Sequence, residues 1–258
     1  MKLVTIAGLP GSGKTQIALQ AAAVLQGEGL AVGAVKFDCI TTRDHERYRR
    51  QRIPALTGIS GSLCPDHYFV TNIEACVNWG LDRGLDVLVS ESAGLCCRCS
   101  PHIKGFLSVC VIDCLSGAWT PKKAGPLLLF ADIVVISKAD IVSQAEREVF
   151  VYRVRQVNRK AAILFVNGLT GQGAGALAKR LKDAPDVKAG AGAGIAHEKM
   201  RFPLPLALCS YCMGETRIGG DYVTTSSIIR RIAIPDDEDN AAPDEWTVRD
   251  DARDEGDA

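Results

Sequence analysis

The sequence predicts an α/β fold: a mostly parallel sheet with helices on both faces, followed by a small cysteine-containing segment. Short apolar runs alternate with longer amphipathic stretches along residues 1–188, which is typical of strands joined through helices. A glycine-rich loop at residues 8–15 directly follows the first apolar run and opens the first amphipathic stretch. The chain has 258 residues, enough for one such domain and a short appendage.

Each element follows from its local pattern, taken in chain order. Short apolar runs predict strands at residues 2–7, 31–37, 87–90, 108–112, 133–136 and 162–166. Longer amphipathic stretches predict helices at residues 14–28, 44–52, 73–83, 143–159 and 174–182. Sites in such sheets lie beyond the carboxyl ends of the strands, where the glycine-rich loop, Asp38, Glu91 and Asp113 fall.

The glycine-rich loop matches a complete phosphate-binding motif. Its pattern residues are Gly8, Gly11, Ser12, Gly13, Lys14 and Thr15. Backbone N–H groups of such a loop, together with the start of the following helix, hold phosphate oxygens. We expect Lys14 to reach the β- and γ-phosphates and Thr15 to bind Mg²⁺. The sequence therefore predicts a P-loop NTPase.

Two carboxylates at strand ends are the candidates to complete this site. Glu91 ends the third predicted strand, where a carboxylate that binds Mg²⁺ through water or positions the attacking water belongs. Asp38 ends the second predicted strand and is the other candidate. We assign Lys14, Asp38 and Glu91 to catalysis and Thr15, Asp38 and Glu91 to Mg²⁺. The alternative is that either acid is an ordinary strand-end residue.

A base-recognition motif follows the strand at residues 133–136. In Ser137-Lys138-Ala139-Asp140, the Asp140 carboxylate can accept two hydrogen bonds from guanine, and the stem of Lys138 can lie over the base. The stretch resembles the guanine motif Asn-Lys-x-Asp with Ser in place of Asn. Asp140 could instead cap a helix, and the Ser leaves ATP open as the nucleotide.

Ten cysteines are present, and five of them are clustered. The clustered residues are Cys96, Cys97, Cys99, Cys209 and Cys212. The pairs Cys96–Cys99 and Cys209–Cys212 could together form one tetrahedral metal site, or hold an iron–sulfur cluster, with Cys97 and His102 as alternative ligands. A reduced redox pair beside an unrelated small module is the other interpretation.

The C-terminal third divides by composition. Residues 189–194 alternate Ala and Gly and predict a flexible hinge, and residues 195–234 form the small segment with the second cysteine pair. Residues 235–258 contain eleven acidic residues against two Arg, which predicts a disordered tail. The remaining positive charge is dispersed, so we expect no nucleic-acid partner. No apolar run approaches membrane-spanning length and the chain starts without a signal peptide, so we expect a cytoplasmic protein.

Several motifs in order resemble one known family. They are residues 38–44 (DCITTRD), 112–113 with 121–126 (ID and PKKAGP), 131–140 (ADIVVISKAD) and 167–173 (NGLTGQG). Together with the phosphate-binding loop they resemble the SIMIBI-class P-loop GTPases of the CobW/HypB/UreG metallochaperone family, which deliver nickel to urease and hydrogenase. The similarity is nearest to the urease accessory GTPase and covers about residues 1–185, leaving the cysteine-rich C-terminal segment as an addition.

This resemblance implies a second metal motif. The family carries Cys-Pro-His between the second strand and the strand that bears the glutamate. Here Cys64-Pro65-Asp66-His67 stands in that place with one inserted residue. The resemblance implies that Cys64 and His67 bind a metal at the interface of a nucleotide-dependent homodimer.

Three functions remain open. The first is a GTPase, slow alone, that uses GTP and Mg²⁺ to assist assembly of a metallocentre containing nickel or a related metal such as zinc. Its partners would be a client metalloenzyme or its assembly factors. The second is an ATP-dependent carrier of an iron–sulfur cluster or activator of a metalloenzyme. The third is a non-catalytic adaptor with a zinc-stapled tail.

Overall fold

The framework of the structure is a sheet of parallel strands. The computed structural model describes residues 1–95, 97–187, 194–196, 198–202, 216–219 and 229–235. The strands in these ranges are β1 (Lys2–Gly8), β2 (Val32–Asp38), β3 (Ala55–Ile59), β4 (Val87–Ser92), β5 (Leu107–Asp113), β6 (Ile133–Ser137) and β7 (Ala162–Phe165). They form one sheet in the order β3-β2-β4-β1-β5-β6-β7, and every pairing is parallel. The predicted α/β fold is therefore confirmed.

Helices cover both faces of this sheet. They are α1 (Lys14–Gly27), α2 (Asp44–Arg50), α3 (Pro65–Asp82), α4 (Thr120–Lys123), α5 (Pro126–Leu129), α6 (Gln144–Val157) and α7 (Ala174–Lys182). Side chains alternate across a strand, so Val4 packs on one face with α1 and α7, and Leu3 packs on the other with α3. Of the helices in the described ranges, none is both long and apolar enough to cross a bilayer.

Three elements differ from the sequence prediction near the site. The edge strand β3 was not predicted, because Thr57 and Gly58 interrupt its short apolar run. Helix α3 begins at Pro65 rather than at residue 73, since proline suits a first helical turn and the following aromatic residues are buried. Strand β4 continues to Ser92 because it still pairs with β2 there, so Glu91 lies within the strand.

The described parts of the C-terminal segment pack on the α3 face. The core on that face includes Ile195, Met200, Ile218, Ile229 and Ile232. Arg201 holds this segment to the sheet through both nitrogens of its fork, which donate to Asp132 at 2.8 and 2.7 Å. Residues 189–193 of the expected hinge, and all of the expected tail after Pro235, lie outside the described residues.

His102 joins the central strand to α5 inside the protein. Its side chain is fully buried, with Nε2 at 2.9 Å from the Leu127 carbonyl oxygen and Nδ1 at 3.1 Å from Thr5 Oγ1. Because the carbonyl can only accept, the proton is on Nε2, and Nδ1 accepts from the threonine. Burial lowers the pKa of His102 to about 4. Both nitrogens are thus engaged in folding contacts, and His102 is not free to act as a metal ligand.

We predict that His102 makes the protein less stable in mild acid. The unfolded chain takes up a proton near the ordinary histidine pKa of 6.5 and the folded chain only near 4, so stability falls as the pH drops between these values. The full contribution is about 3 kcal/mol. Urea denaturation at pH 7.5, 6 and 5 measures it. In the variant His102→Gln, the free energy of unfolding should fall less steeply as the pH drops. An equally steep fall in the variant and the native protein would contradict the role of His102.

A candidate nucleotide site next to a sulfur cluster

The phosphate-binding loop connects the central strand β1 to α1. Gly11 and Gly13 adopt φ values of 72° and 89°, and a Cβ built on either would meet nothing within 4 Å. Glycine is therefore required at both positions by the backbone conformation and not by crowding. The loop opens directly into α1, whose first N–H groups are the anion-binding end of a helix.

Lys14 lies along this loop. Its Nζ donates to the carbonyl oxygens of Gly8 and Leu9, each at 3.0 Å, and of Ala93 at 3.2 Å. Burial lowers the pKa of Lys14 to about 8, partly offset by the nearby charge of Glu91. Phosphate oxygens are charged acceptors and would bind this ammonium more strongly than the three neutral carbonyls do.

Glu91 is the hydrogen-bonded centre of the site. It is 1% exposed, and its Oε1 accepts from Thr15 Oγ1 at 2.7 Å and from Lys36 Nζ at 2.6 Å. Its Oε2 accepts from the Tyr48 hydroxyl at 2.9 Å. Two of the three predicted Mg²⁺ residues, Thr15 and Glu91, are thus in direct contact. Their oxygen atoms are the hard ligands that Mg²⁺ takes, so the residues fit this ion.

Asp38 and Asp44 are two further carboxylates near Lys36. Asp44 Oδ2 is 2.8 Å from Lys36 Nζ, whereas Asp38 Oδ2 is 4.0 Å away. Asp38 Oδ1 accepts from the Cys39 backbone N–H at 2.8 Å. Burial tends to raise the pKa of Asp44, but hydrogen bonds from Lys36 and Thr15 outweigh it and lower the pKa. Asp44 is therefore closer to this cluster than Asp38, which the sequence analysis had chosen.

Sequence reasoning missed three members of the cluster. Lys36, Tyr48 and Asp44 reach Glu91 or Lys36 only through tertiary packing. Two signals were present in the sequence: a lysine inside an otherwise apolar strand, β2, because such a buried charge requires a partner, and the second acid of the motif at residues 38–44.

The predicted base-recognition residues lie beside the loop. Ser137 Oγ donates to the Ser12 carbonyl oxygen at 2.7 Å, and Lys138 Nζ donates to that of Gly11 at 2.9 Å. Asp140 is exposed in the short turn Ala139–Ile141 that follows. Ser137 thus binds the phosphate loop, and the role of Asp140 in base selection stays a prediction.

A sulfur-containing cluster lies on the opposite face of the sheet. Within the described residues, Cys64, Asp66 and Cys99 place one potential ligand atom each within 4.8 Å of the others. Cys64 directly precedes α3, and Asp66 and His67 lie in its first turn. Cys99 comes from the loop after β4. Sequence analysis put Cys64 and Cys99 in two separate sites, and the structure brings them together.

The cluster favours a thiolate. A hydrogen bond with Cys99 and another with His67 outweigh burial and hold the pKa of Cys64 well below its usual value. Burial and the adjacent Cys64 raise the pKa of Asp66 to about 7. A thiolate is the form of cysteine that binds metals, so Cys64 is ready to act as a ligand near neutral pH.

Strand β4 joins the two sites. Glu91 contacts Thr15 on one face of the sheet, and Ser92, the next residue, donates from Oγ to Asp66 Oδ1 at 3.2 Å on the other. The loop that follows also touches the phosphate loop, since a Cβ on Gly94 would lie 1.7 Å from the Gly8 carbonyl oxygen. One short segment therefore contacts the phosphate loop, the predicted magnesium residues and the sulfur cluster.

Four other cysteines were predicted as metal ligands, and the structure describes one of them, Cys97. Cys97 is half-buried and lies outside the group formed by Cys64, Asp66 and Cys99. Cys96, Cys209 and Cys212 lie outside the described residues. The expected site formed by two cysteine pairs accordingly stays a prediction.

Comparison with known proteins decides the family. A family model described as CobW/HypB/UreG, nucleotide-binding domain, matches residues 2–165. The chain belongs to this family. It is 46% identical over 232 residues to an uncharacterized protein of Methanocaldococcus jannaschii, covering 90% of this chain and 96% of that one. It is 31% identical over 150 residues to urease accessory protein UreG 2 of a Bradyrhizobium species, covering 54% of this chain and 69% of that one.

Solved structures show the same fold. The hydrogenase maturation factor HypB of Archaeoglobus fulgidus matches with a TM-score of 0.57 at 23% identity, covering 71% of this chain and 89% of that one. HypB of Helicobacter pylori, solved in complex with nickel, also matches with a TM-score of 0.57, at 20% identity and covering 71% and 86%. At these identities the likeness concerns the fold alone.

We predict that Gly94→Ala disrupts triphosphate binding. The new methyl group would collide with the Gly8 carbonyl oxygen and press on Lys14 Nζ, which lies 3.3 Å from the built Cβ. Gly105→Ala is the matched control, since Gly105 also has positive φ (80° against 77°) but nothing within 4 Å of its built Cβ. Both variants should lose about 1 kcal/mol of stability to backbone strain, and Gly94→Ala should lose more because its methyl group collides with backbone atoms of Gly8. Only Gly94→Ala should weaken binding of a fluorescent triphosphate, by about tenfold or more; equal affinities would refute the close approach.

Proposed function

We propose that this protein binds and hydrolyses GTP, and that its nucleotide state controls a metal held by Cys64 and Cys99. In this role it assists assembly of a metallocentre in a client enzyme, with nickel as the preferred cargo. One observation carries the proposal: neighbouring residues of β4 contact the two sites. Glu91 bonds Thr15 of the phosphate loop, and Ser92 bonds Asp66 of the sulfur cluster.

Hydrolysis rests on positioning and charge. Lys14 would exchange its three carbonyl partners for oxygens of the β- and γ-phosphates and stabilise charge that develops on them. Thr15 and Glu91 would hold Mg²⁺, which neutralises phosphate charge. Asp38, at the end of β2, is the candidate to orient the attacking water. We expect slow turnover in the isolated protein and faster turnover with a partner or in a nucleotide-dependent homodimer.

The cargo site suits a borderline metal ion. Thiolates accept nickel, zinc and iron, and imidazole and carboxylate groups suit several of these ions as well. The urease accessory proteins among the relatives favour nickel, because the family resembled here delivers nickel to urease. His67, which hydrogen-bonds Cys64, is the proposed further ligand. The proposed partner is the client enzyme or one of its assembly factors.

The proposed coupling between the nucleotide site and the sulfur cluster depends on the short connection between them along β4. A nucleotide that changes the contact between Thr15 and Glu91 shifts the end of β4, and the shift reaches Asp66 through the next residue. Asp66 shares its cluster with Cys64 and Cys99, so a small movement changes the distances among the three ligand atoms. A change of this kind alters metal affinity by differential binding of the two states.

The nucleotide assignment predicts two distinct defects. Lys14→Ala should abolish hydrolysis and weaken triphosphate binding, because the phosphate cation is lost. Asp140→Asn should reduce the preference for GTP over ATP with little loss of hydrolysis, because the amide keeps only one of the two oxygens that accept from guanine and places an NH₂ donor in the other position. Competition binding with both nucleotides and a phosphate-release assay measure these effects. An unchanged preference in Asp140→Asn would exclude Asp140 from base recognition, and hydrolysis by Lys14→Ala at the native rate would exclude the proposed enzyme.

The cargo assignment predicts that Cys64→Ser and Cys99→Ser lose the same metal ion. Equilibrium dialysis with Ni²⁺, without oxygen and with or without GTP and Mg²⁺, should show one nucleotide-sensitive ion in the native protein and loss of that ion in each variant. Cys110→Ser, a buried cysteine in β5, is the control and should retain it. Retention of nickel by either cluster variant would contradict the shared site.

An absorbance spectrum of the same oxygen-free protein tests the alternative of an ATP-dependent cluster carrier. A brown protein containing iron and sulfide, lost in both Cys99→Ser and Cys212→Ser, would favour that function. A colourless protein whose nickel binding survives Cys212→Ser would favour the nickel carrier.

A further inference from the structure

Lys36 is a buried lysine surrounded by acidic residues of the nucleotide site. Its side chain is 6% exposed, and its Nζ lies 2.6 Å from Glu91 Oε1 and 2.8 Å from Asp44 Oδ2. Asp38 Oδ2 is 4.0 Å away. Strand β2 aims the side chain at this point from inside the sheet, so its position is set by the fold.

The ammonium is stable in this position. Burial opposes the charge, but the carboxylates of Glu91 and Asp44, at 2.6 and 2.8 Å from Nζ, compensate it directly. Three carboxylates face two lysines here, Lys36 and Lys14. Without Lys36, Glu91 would be a buried carboxylate with only hydroxyl donors, from Thr15 and Tyr48. A carboxylate in that state strongly attracts another cation.

Lys36 shares an oxygen atom with the predicted magnesium residues. Glu91 Oε1 accepts from Thr15 Oγ1 at 2.7 Å and from Lys36 Nζ at 2.6 Å, so the ammonium occupies one side of the same oxygen. Mg²⁺ bound to the Thr15 hydroxyl at about 2.1 Å would lie close to this ammonium. Two cations at such a distance repel each other strongly in a buried site.

We propose that Lys36 is the resident counter-ion of the magnesium site and makes Mg²⁺ binding conditional on the nucleotide. This inference rests on the proposed use of a Mg²⁺-bound triphosphate. In the nucleotide-free protein, Lys36 neutralises Glu91 and Asp44 and excludes free divalent ions. A triphosphate brings the negative charge that Mg²⁺ needs, and Lys36 then keeps its partner on α2, Asp44. Lys36 is a positioning residue, acting through Glu91 and Asp44.

Titration of the nucleotide-free full chain with Mg²⁺ tests the proposal. Mg²⁺ is suitable because thiolates of the sulfur cluster do not compete for it. The native protein should show little affinity for Mg²⁺ by calorimetry and little change in unfolding temperature on addition of MgCl₂. Lys36→Met should bind one Mg²⁺ without nucleotide, about tenfold more tightly or better, and should unfold at a higher temperature when Mg²⁺ is present.

Two variants separate charge from a general structural effect. Lys36→Arg keeps the positive charge and should behave like the native protein. Lys182→Met removes a lysine that pairs with Glu28 at 2.7 Å on the surface, and it should gain no Mg²⁺ affinity. If Lys36→Met does not fold, Lys36→Gln carries the same prediction with a polar side chain. The native protein also tests the proposal, because tight Mg²⁺ binding by the native protein without nucleotide overturns it.

The results distinguish this inference from the proposed function. If Lys36→Met gains no Mg²⁺ affinity and the native protein hydrolyses GTP, the proposed role of Lys36 is refuted and the proposed GTPase activity stands. A gain in affinity, when the native protein neither binds nor hydrolyses GTP, would support Lys36 as counter-ion of the acidic residues but refute the proposed enzyme and the dependence on GTP.

Discussion

The buried carboxylate of Glu91 organises the nucleotide side of the molecule. Its two oxygen atoms accept from three elements at once: Thr15 at the start of α1, Lys36 of β2 and Tyr48 of α2. A charge that is 1% exposed persists only when its lone pairs are satisfied, so the three donors and the glutamate depend on one another. The phosphate loop, the strand beside it and the segment after β2 are thereby held in one arrangement. A nucleotide must either bind to this arrangement or change it.

The sequence predicted the parts of this arrangement that depend on local spacing. The phosphate loop follows from a motif and lies at the end of β1 as expected, whereas Glu91, predicted from a strand end, lies one residue inside the end of β4. Lys36 and Tyr48 could not be assigned in this way, because their role comes from which strand and helix pack beside Glu91. The start of α3 was misplaced for a related reason: Cys64-Pro65-Asp66-His67 was interpreted as a ligand motif, although its proline also begins a helix that buries the residues after it.

The sulfur cluster shows the same limit at a longer range. Spacing alone paired Cys99 with Cys96 and gave Cys64 to a different site, because neighbouring cysteines are the pattern that a sequence displays. The fold instead brings the loop after β4 to the first turn of α3, since α3 packs on the sheet next to β4. Cys64, Asp66 and Cys99 therefore meet although they come from two separate motifs. Predicting that meeting requires the strand order β2-β4-β1, which no single stretch of the chain contains.

Lys36, which lies among the carboxylates, also bears on which metal ions can bind at the acidic face of the sheet. A carboxylate-rich site does not by itself reject transition metals, since the affinity of such sites rises from Mn²⁺ towards Ni²⁺ and Cu²⁺. A protein that carries such an ion on the thiolate face of β4 would therefore risk losing it to the acidic face of the same strand. A covalently attached ammonium cannot be exchanged for a metal ion in solution. Under the proposed function, Lys36 would keep a cargo ion off the acidic face between rounds of nucleotide binding, and the cysteine cluster of the described residues would remain as its binding site.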